Sequence, residues 1–211
     1  MNNQNSKLSV GIAVLFEIIL IVTAIVSITT KQWKNLFLTS LAIVCVSLPF
    51  IITRIANIKN IVLPSSFQLI TLVLVFLAQY LGEIMRFYLI FWWWDLLLHA
   101  IFGSFAVIIA LYLIQGVIRK EQEATEQRFT LFTILFSFNF SIALSTLWEM
   151  FEFTGDYLIK ANMVKGGLED TSTDLLITIF AAFITSIIYY FLKPYYNNVD
   201  NSEKVNNLKV R

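Results

Sequence analysis

WDLLLHAIFGSFAVIIALYLIQGVI, residues 94–118, decides the fold. Past its second residue it offers no formally charged side chain over a length that crosses a bilayer, about 20 residues at helical rise. Near its start it carries His99, the chain's one histidine, four residues after Asp95. A charged group at a helix centre costs about 2.5 to 3.5 kcal/mol on insertion scales, so polar residues kept in such a segment need compensation.

The rest of the chain repeats this pattern. It has 211 residues, 58% hydrophobic and 14% charged, where soluble domains hold about a quarter charged residues. Six apolar runs qualify as spans: Leu8–Thr29, Trp33–Ile52, Ser66–Leu81, Trp94–Ile118, Phe129–Phe153 and Ser172–Leu192. The expected fold is all-α, a polytopic transmembrane bundle of about six helices. Residues 1–7 read as a cytoplasmic N-terminus, 8–193 as one transmembrane domain, and 194–211 as a polar, disordered tail. The first run is too long for a signal-peptide core and reads as a retained helix. Pro49 is expected to kink the second helix or end it early. The aromatic stretch Phe87–Trp94 reads as interfacial or re-entrant, since Trp and Tyr favour the headgroup level.

A net charge of +1 excludes a nucleic-acid partner held by a basic surface. Cys45 is the only cysteine, and its apolar surroundings suggest a small core side chain. Lysines and arginines divide ten to five between alternate loops, which places both termini in the cytoplasm by the positive-inside rule. The loops joining spans three to four and five to six then share the extracytoplasmic side. So do the acids beside them.

Those acids have helical spacing. Asp95 and His99 are i, i+4; Glu149 and Glu152 are i, i+3, with Asp156 four further on; Asp170 and Asp174 are i, i+4. Residues so spaced share a face. Arg86, one turn from Glu83, cannot neutralise them all, whereas a divalent cation can. Carboxylates with one imidazole suit Mg, Mn, Fe or Zn, and helix bundles hold metals with inward acids and histidines. The metal candidates are therefore Asp95, His99, Glu149, Glu152, Asp170 and Asp174, with Glu83, Asp156 and Glu17 as accessories. A plainer reading makes Asp170 and Asp174 helix caps and Asp156 a solvated loop residue. Glu149 and Glu152 resist it, because a helix C-terminus disfavours negative charge. Glu17 falls mid-span without a partner in sequence. Gln68, Gln79, Gln115 and Asn139 read as interhelical hydrogen-bond glue. Gly103 with Ser104 offers a patch for close packing.

Three segments carry a family resemblance: LGEIMRFYLIFWWWDLLLHAIFGS at 81–104, LWEMFEFTGD at 147–156 and GLEDTSTDLLITIFAA at 167–182. They resemble the YjdF-like family of small polytopic bacterial inner-membrane proteins. The family's Asp-x-x-x-His-x-x-x-Gly element falls on Asp95, His99 and Gly103. Its Glu-x-x-Glu element falls on Glu149 and Glu152, and its Asp-Thr-x-x-Asp element on Asp170, Thr171 and Asp174. The resemblance implies a multi-pass protein of the bacterial cytoplasmic membrane and no particular activity. Hydrolases that bind zinc through three histidines are excluded by the single histidine. CDP-alcohol phosphotransferases are excluded by the lack of their longer Asp-rich motif.

The leading expectation is a cation-binding acidic and histidine cluster serving a metal-dependent hydrolase or transferase. Its substrate would be a lipid or lipid-linked molecule, with water as nucleophile since no Ser or Cys stands out. The alternatives are a cation or proton transporter or channel component, and a non-catalytic scaffold or sensor. The cytoplasmic halves of spans four to six look almost purely apolar, which favours a surface-accessible site over a through-path. Catalytic residues and oligomeric state are not legible.

Overall fold

In a computed structural model the chain is all-helical. The structure describes the backbone of residues 3–117, 125–159, 163–164 and 166–209, and within these the side chains of 6–114, 125–158, 163–164 and 166–193. The helices are α1 (Asn3–Thr29), α2 (Trp33–Ile58), α3 (Phe67–Val75), α4 (Phe87–Ile90), α5 (Trp94–Val117), α6 (Glu126–Ile159) and α7 (Leu168–Lys209). A π-helical stretch, Phe76–Ile84, prolongs α3. Six helices are long and apolar enough to cross a membrane, α3 together with its π-helical continuation among them. Backbone groups satisfied within each helix are what a lipid environment requires.

The chain divides into two compact units. The first holds Met1–Phe102 and Tyr112–Ile118, and the second Gly103–Leu111 and Arg119–Arg211, so α5 contributes to both. In the first unit, Ala13 and Leu20 of α1 pack with Ala42 and Val46 of α2, Leu72 of α3 and Ile84. Phe16 stacks on Phe76 at 4.0 Å between ring centroids. Thr53, Asn57, Gln68 and Tyr112 line a cavity of about 600 Å³ in this unit.

Several boundaries move from their expected places. α2 runs through Pro49 to Ile58, and Thr53 donates to the Pro49 carbonyl at 2.7 Å. Pro49 therefore does not end the helix. Phe87–Trp94 folds as the one-turn α4, an extended Phe91 and the start of α5. Leu89, Ile90 and Trp92 are exposed there, while Trp94 is buried and packs edge-on against Phe87 at 5.0 Å. Gly82 is required by close approach, since a Cβ would enter the Tyr88 ring. α6 extends beyond the expected run at both ends, and α7 begins at Leu168, four residues before Ser172. Most of the expected Arg119–Arg128 connection lies outside the described residues, as do Lys160 and Lys165 and the side chains of the 194–211 tail.

Candidate metal centre

The second unit is organised by one register. Ser145 of α6 hydrogen-bonds Thr178 of α7 at 3.2 Å. Lys193 donates to Thr130 at 2.7 Å. These two pairs lie the same number of residues apart on both helices, with opposite chain direction, so α6 and α7 run antiparallel in a constant register. One turn beyond Ser145 is Glu149, and one turn before Thr178 is Asp174. The register sets these two acids at the same level. Both are buried, Glu149 at 4% exposure and Asp174 at 2%.

α5 enters this unit through Gly103. Ser141 donates to the Gly103 carbonyl at 2.8 Å. A Cβ on Gly103 would lie 2.8 Å from Thr178 Cγ2 and 3.0 Å from its carbonyl oxygen. The close-packing patch expected at Gly103 is thus present, and no side chain but hydrogen fits. One turn before Gly103 on the same helix stands His99, 5% exposed. Its Nε2 lies 3.7 Å from Asp95 Oδ1, within ion-pair range and beyond hydrogen-bond length. Asp95, His99 and Asp174 constitute a possible metal-binding group. An imidazole with carboxylate oxygens is a donor set for divalent first-row metals.

The other sequence candidates fall elsewhere. Glu152 is half-buried and accepts a hydrogen bond from Trp148 Nε1 at 2.9 Å, so Glu149 and Glu152 divide between the inner and outer sides of α6. Neither is at a helix end, because α6 continues to Ile159. The dipole argument that set them apart from caps therefore loses its force, and burial replaces it for Glu149. Asp156 belongs to the last turns of α6. Its carboxylate accepts from the backbone N–H of Met163 at 2.6 Å and of Val164 at 2.9 Å, tying down the chain after the helix. Asp170 lies in the first turn of α7, where a negative charge complements the dipole. Asp174 is a turn further in and is buried, which removes it from the capping role. Glu83 lies on the π-helical stretch, a form of backbone often found at functional sites. Glu17 is half-buried on α1. Asn139 bonds back to the Leu135 carbonyl of its own helix and is exposed, so it is not interhelical glue.

One group of residues was overlooked in the sequence. The buried positions of α6 are Thr130, Thr133, Ser137, Ser141, Ser145 and Glu149, all polar. Its exposed side carries Leu131, Phe132, Leu135, Phe136, Leu147, Met150 and Phe151. Such inversion suits lipid, where apolar side chains gain nothing by turning inward and small or hydroxyl residues let helices approach. The spacing of three and four from Thr130 to Glu149 is the signal that would have found it. The expectation of an almost apolar inner half in spans four to six is corrected accordingly for α6.

Fold and site together define a class: a multi-pass helical membrane protein, embedded in the lipid bilayer, that buries ionisable side chains inside its helices. Within that class the chain belongs to the family described as "Predicted membrane protein (DUF2238)", which matches residues 11–194. An uncharacterized protein of Thermotoga maritima is 28% identical over 116 residues, 55% of this chain and 57% of that relative. The matched region is thus a little over half the length of either. No solved structure matches.

Proposed function

We propose that Asp95, His99, Glu149 and Asp174 hold a divalent cation, Mg, Mn, Fe or Zn, and that this centre serves a metal-dependent hydrolase or transferase. Glu152 and Asp170, half-buried on neighbouring turns, complete the acidic surroundings. The observation that carries the proposal is the burial of Glu149 and Asp174 at one level of α6 and α7. Taking two carboxylates out of water at one level carries a desolvation cost of several kcal/mol per ion, which favourable interactions must offset. A cation compensates both, and the imidazole of His99 supplies a nitrogen donor.

A bound cation would supply Lewis-acid polarisation of a substrate oxygen or of water. A carboxylate outside the ligand set, such as Glu152 or Asp170, would accept the proton. The positive-inside count supports a centre toward the extracytoplasmic face of a bacterial cytoplasmic membrane, with both termini inside. A substrate reaching it from that leaflet is a lipid or lipid-linked molecule.

The test is elemental analysis of protein purified without chelator. Wild type should carry one of these metals stoichiometrically, and His99→Ala, Glu149→Gln and Asp174→Asn should lose it. Metal-free protein whose melting temperature does not move on adding Mg, Mn, Fe or Zn would overturn the proposal. For the reaction class, incubation with bacterial polar lipids, with and without chelator, should give metal-dependent products by mass spectrometry.

A further inference from the structure

The hydroxyl face of α6 points to a second activity, independent of whether a cation binds. Below the Ser145–Thr178 bond the register pairs Ser141 with Ala182, Ser137 with Ser186, and Thr130 with Lys193. All of these side chains but Lys193 are buried, and Ser137 and Ser186 almost completely so, at 0% and 4% exposure. Most of the hydroxyls have partners. Thr130 donates to the Glu126 carbonyl at 2.7 Å, Thr133 to Phe129 at 2.8 Å, and Ser141 to Gly103 at 2.8 Å. The hydroxyls of Ser137 and Ser186 have none among the described residues.

Two buried hydroxyls at one level of a helix seam, neither bonded to protein, form a place for water. A buried polar group left unsatisfied costs about 1 to 3 kcal/mol, and an internal water makes about three hydrogen bonds to such groups. In transmembrane helices a serine usually bonds back to its own helix or across to a neighbour. The level of Ser137 and Ser186 departs from that habit, and it lies midway along a column of hydroxyls.

We propose that the α6–α7 seam holds a file of water and hydroxyl groups that conducts protons between the level of Ser145 and Thr178 and the level of Thr130 and Lys193. A hydroxyl has one donor and two acceptor positions; Ser137 and Ser186 have theirs open, while Thr130, Thr133 and Ser141 accept a proton on oxygen and release their carbonyl bond to pass one on. A proton entering at one end is passed on as each group accepts one hydrogen bond and donates the next, so one proton leaves at the far end and no bond is made or broken in net. Ser145, Ser141, Ser137 and Thr133 follow one another at intervals of four residues, about 6 Å of rise each, and Thr130 stands three residues further on, about 4.5 Å; a single water bridges such a gap. Lys193 marks one mouth of the seam, with its ammonium held by Thr130 and lying 5.6 Å from the Phe129 ring centroid.

The experiment is proton flux into proteoliposomes of the full chain, read with an entrapped pH-sensitive dye, with a potassium diffusion potential set by valinomycin. Wild-type vesicles should acidify faster than protein-free ones. The double variant Ser137→Ala with Ser186→Ala should slow the flux about tenfold, equivalent to ~1.4 kcal/mol in barrier height. It should keep the wild-type melting temperature and metal content. Ala182→Ser adds a hydroxyl at a level in the middle of the seam where α7 offers none, and should raise the flux. Wild-type vesicles no leakier than empty ones would overturn the proposal, and so would a double variant that conducts like wild type. If the double variant fails to fold, Ala182→Ser decides: an unchanged flux overturns the path. Metal content is read separately on the same samples, so loss of the cation reading leaves this outcome interpretable.

Discussion

Replacing Gly103 by alanine should loosen the second unit by an amount the structure sets. The new Cβ would stand 2.8 Å from Thr178 Cγ2, 3.0 Å from the Thr178 carbonyl oxygen and 3.3 Å from its Cα. Optimal carbon–carbon separations are about 3.5 to 4.0 Å. Thr178 is β-branched and restricted at χ1, its hydroxyl is held by Ser145, and its backbone cannot swing aside, so α5 or α7 must retreat by about half an ångström. Overpacking of this kind costs about 1 to 3 kcal/mol. Retreat also stretches the 2.8 Å bond from Ser141 to the Gly103 carbonyl, whose loss adds about 0.5 to 1.5 kcal/mol. The sum, about 2 to 4 kcal/mol, lowers the melting temperature by roughly 5 to 15 °C at about 2 to 4 °C per kcal/mol. Thermal unfolding in detergent, followed by circular dichroism, measures this directly. Thr178→Ser keeps the hydroxyl that meets Ser145 but deletes Cγ2, so in the double variant it should restore about half of the loss. A Gly103→Ala protein that melts with wild type would refute the close approach of α5 to α7.

Other outcomes follow from single side chains. Asp156→Ala removes the acceptor for the N–H groups of Met163 and Val164. It should cost about 1 to 2 kcal/mol, since hydrogen bonds to a charged group are each worth about 1.5 to 3 when buried and less here, where Asp156 is half-buried. Limited proteolysis should cut faster between α6 and α7, and an unchanged rate would show that the carboxylate ties down nothing. For orientation, a cysteine in place of Lys165, in a background with Cys45→Ser, should react with an impermeant thiol reagent in intact cells. Labelling only after lysis would reverse the assigned topology.

The six spans were legible because length and composition suffice to define them, and lipid imposes both. Their ends were less so. An apolar-run criterion stops at charged residues, and α6 carries Glu126 in its first turn and Asp156 near its last. The helix therefore came out short, and Glu149 and Glu152 were placed near an end they do not occupy. α7 likewise begins before its acids, which leaves Asp170 in the first turn and carries Asp174 inside. The π-helical stretch after Val75 leaves no trace in hydropathy, because it changes the hydrogen-bond pitch and not the composition. Which of the candidate acids face inward depends on helix phase. Glu149 and Glu152 are three residues apart and share a face only loosely, and the buried position went to the one in phase with Ser145 and Ser141.

That phase also explains why acids and hydroxyls belong to one device. On α6 the interval from Ser137 to Ser141, Ser145 and Glu149 is always four, and on α7 the buried positions Asp174, Thr178, Ala182 and Ser186 repeat the same interval. An i, i+4 row drifts slowly around a helix of 3.6 residues per turn, so two antiparallel rows stay in touch along their length only when both drift together. Small side chains permit the approach, and the approach brings the last members of the rows, Glu149 and Asp174, to the same level. The Ser145–Thr178 bond that fixes this register is thus what sets the two carboxylates at one level. A bulky residue anywhere in either row would separate the acids as well as the helices. Stability of the seam and the common level of Glu149 and Asp174 therefore rest on the same small side chains.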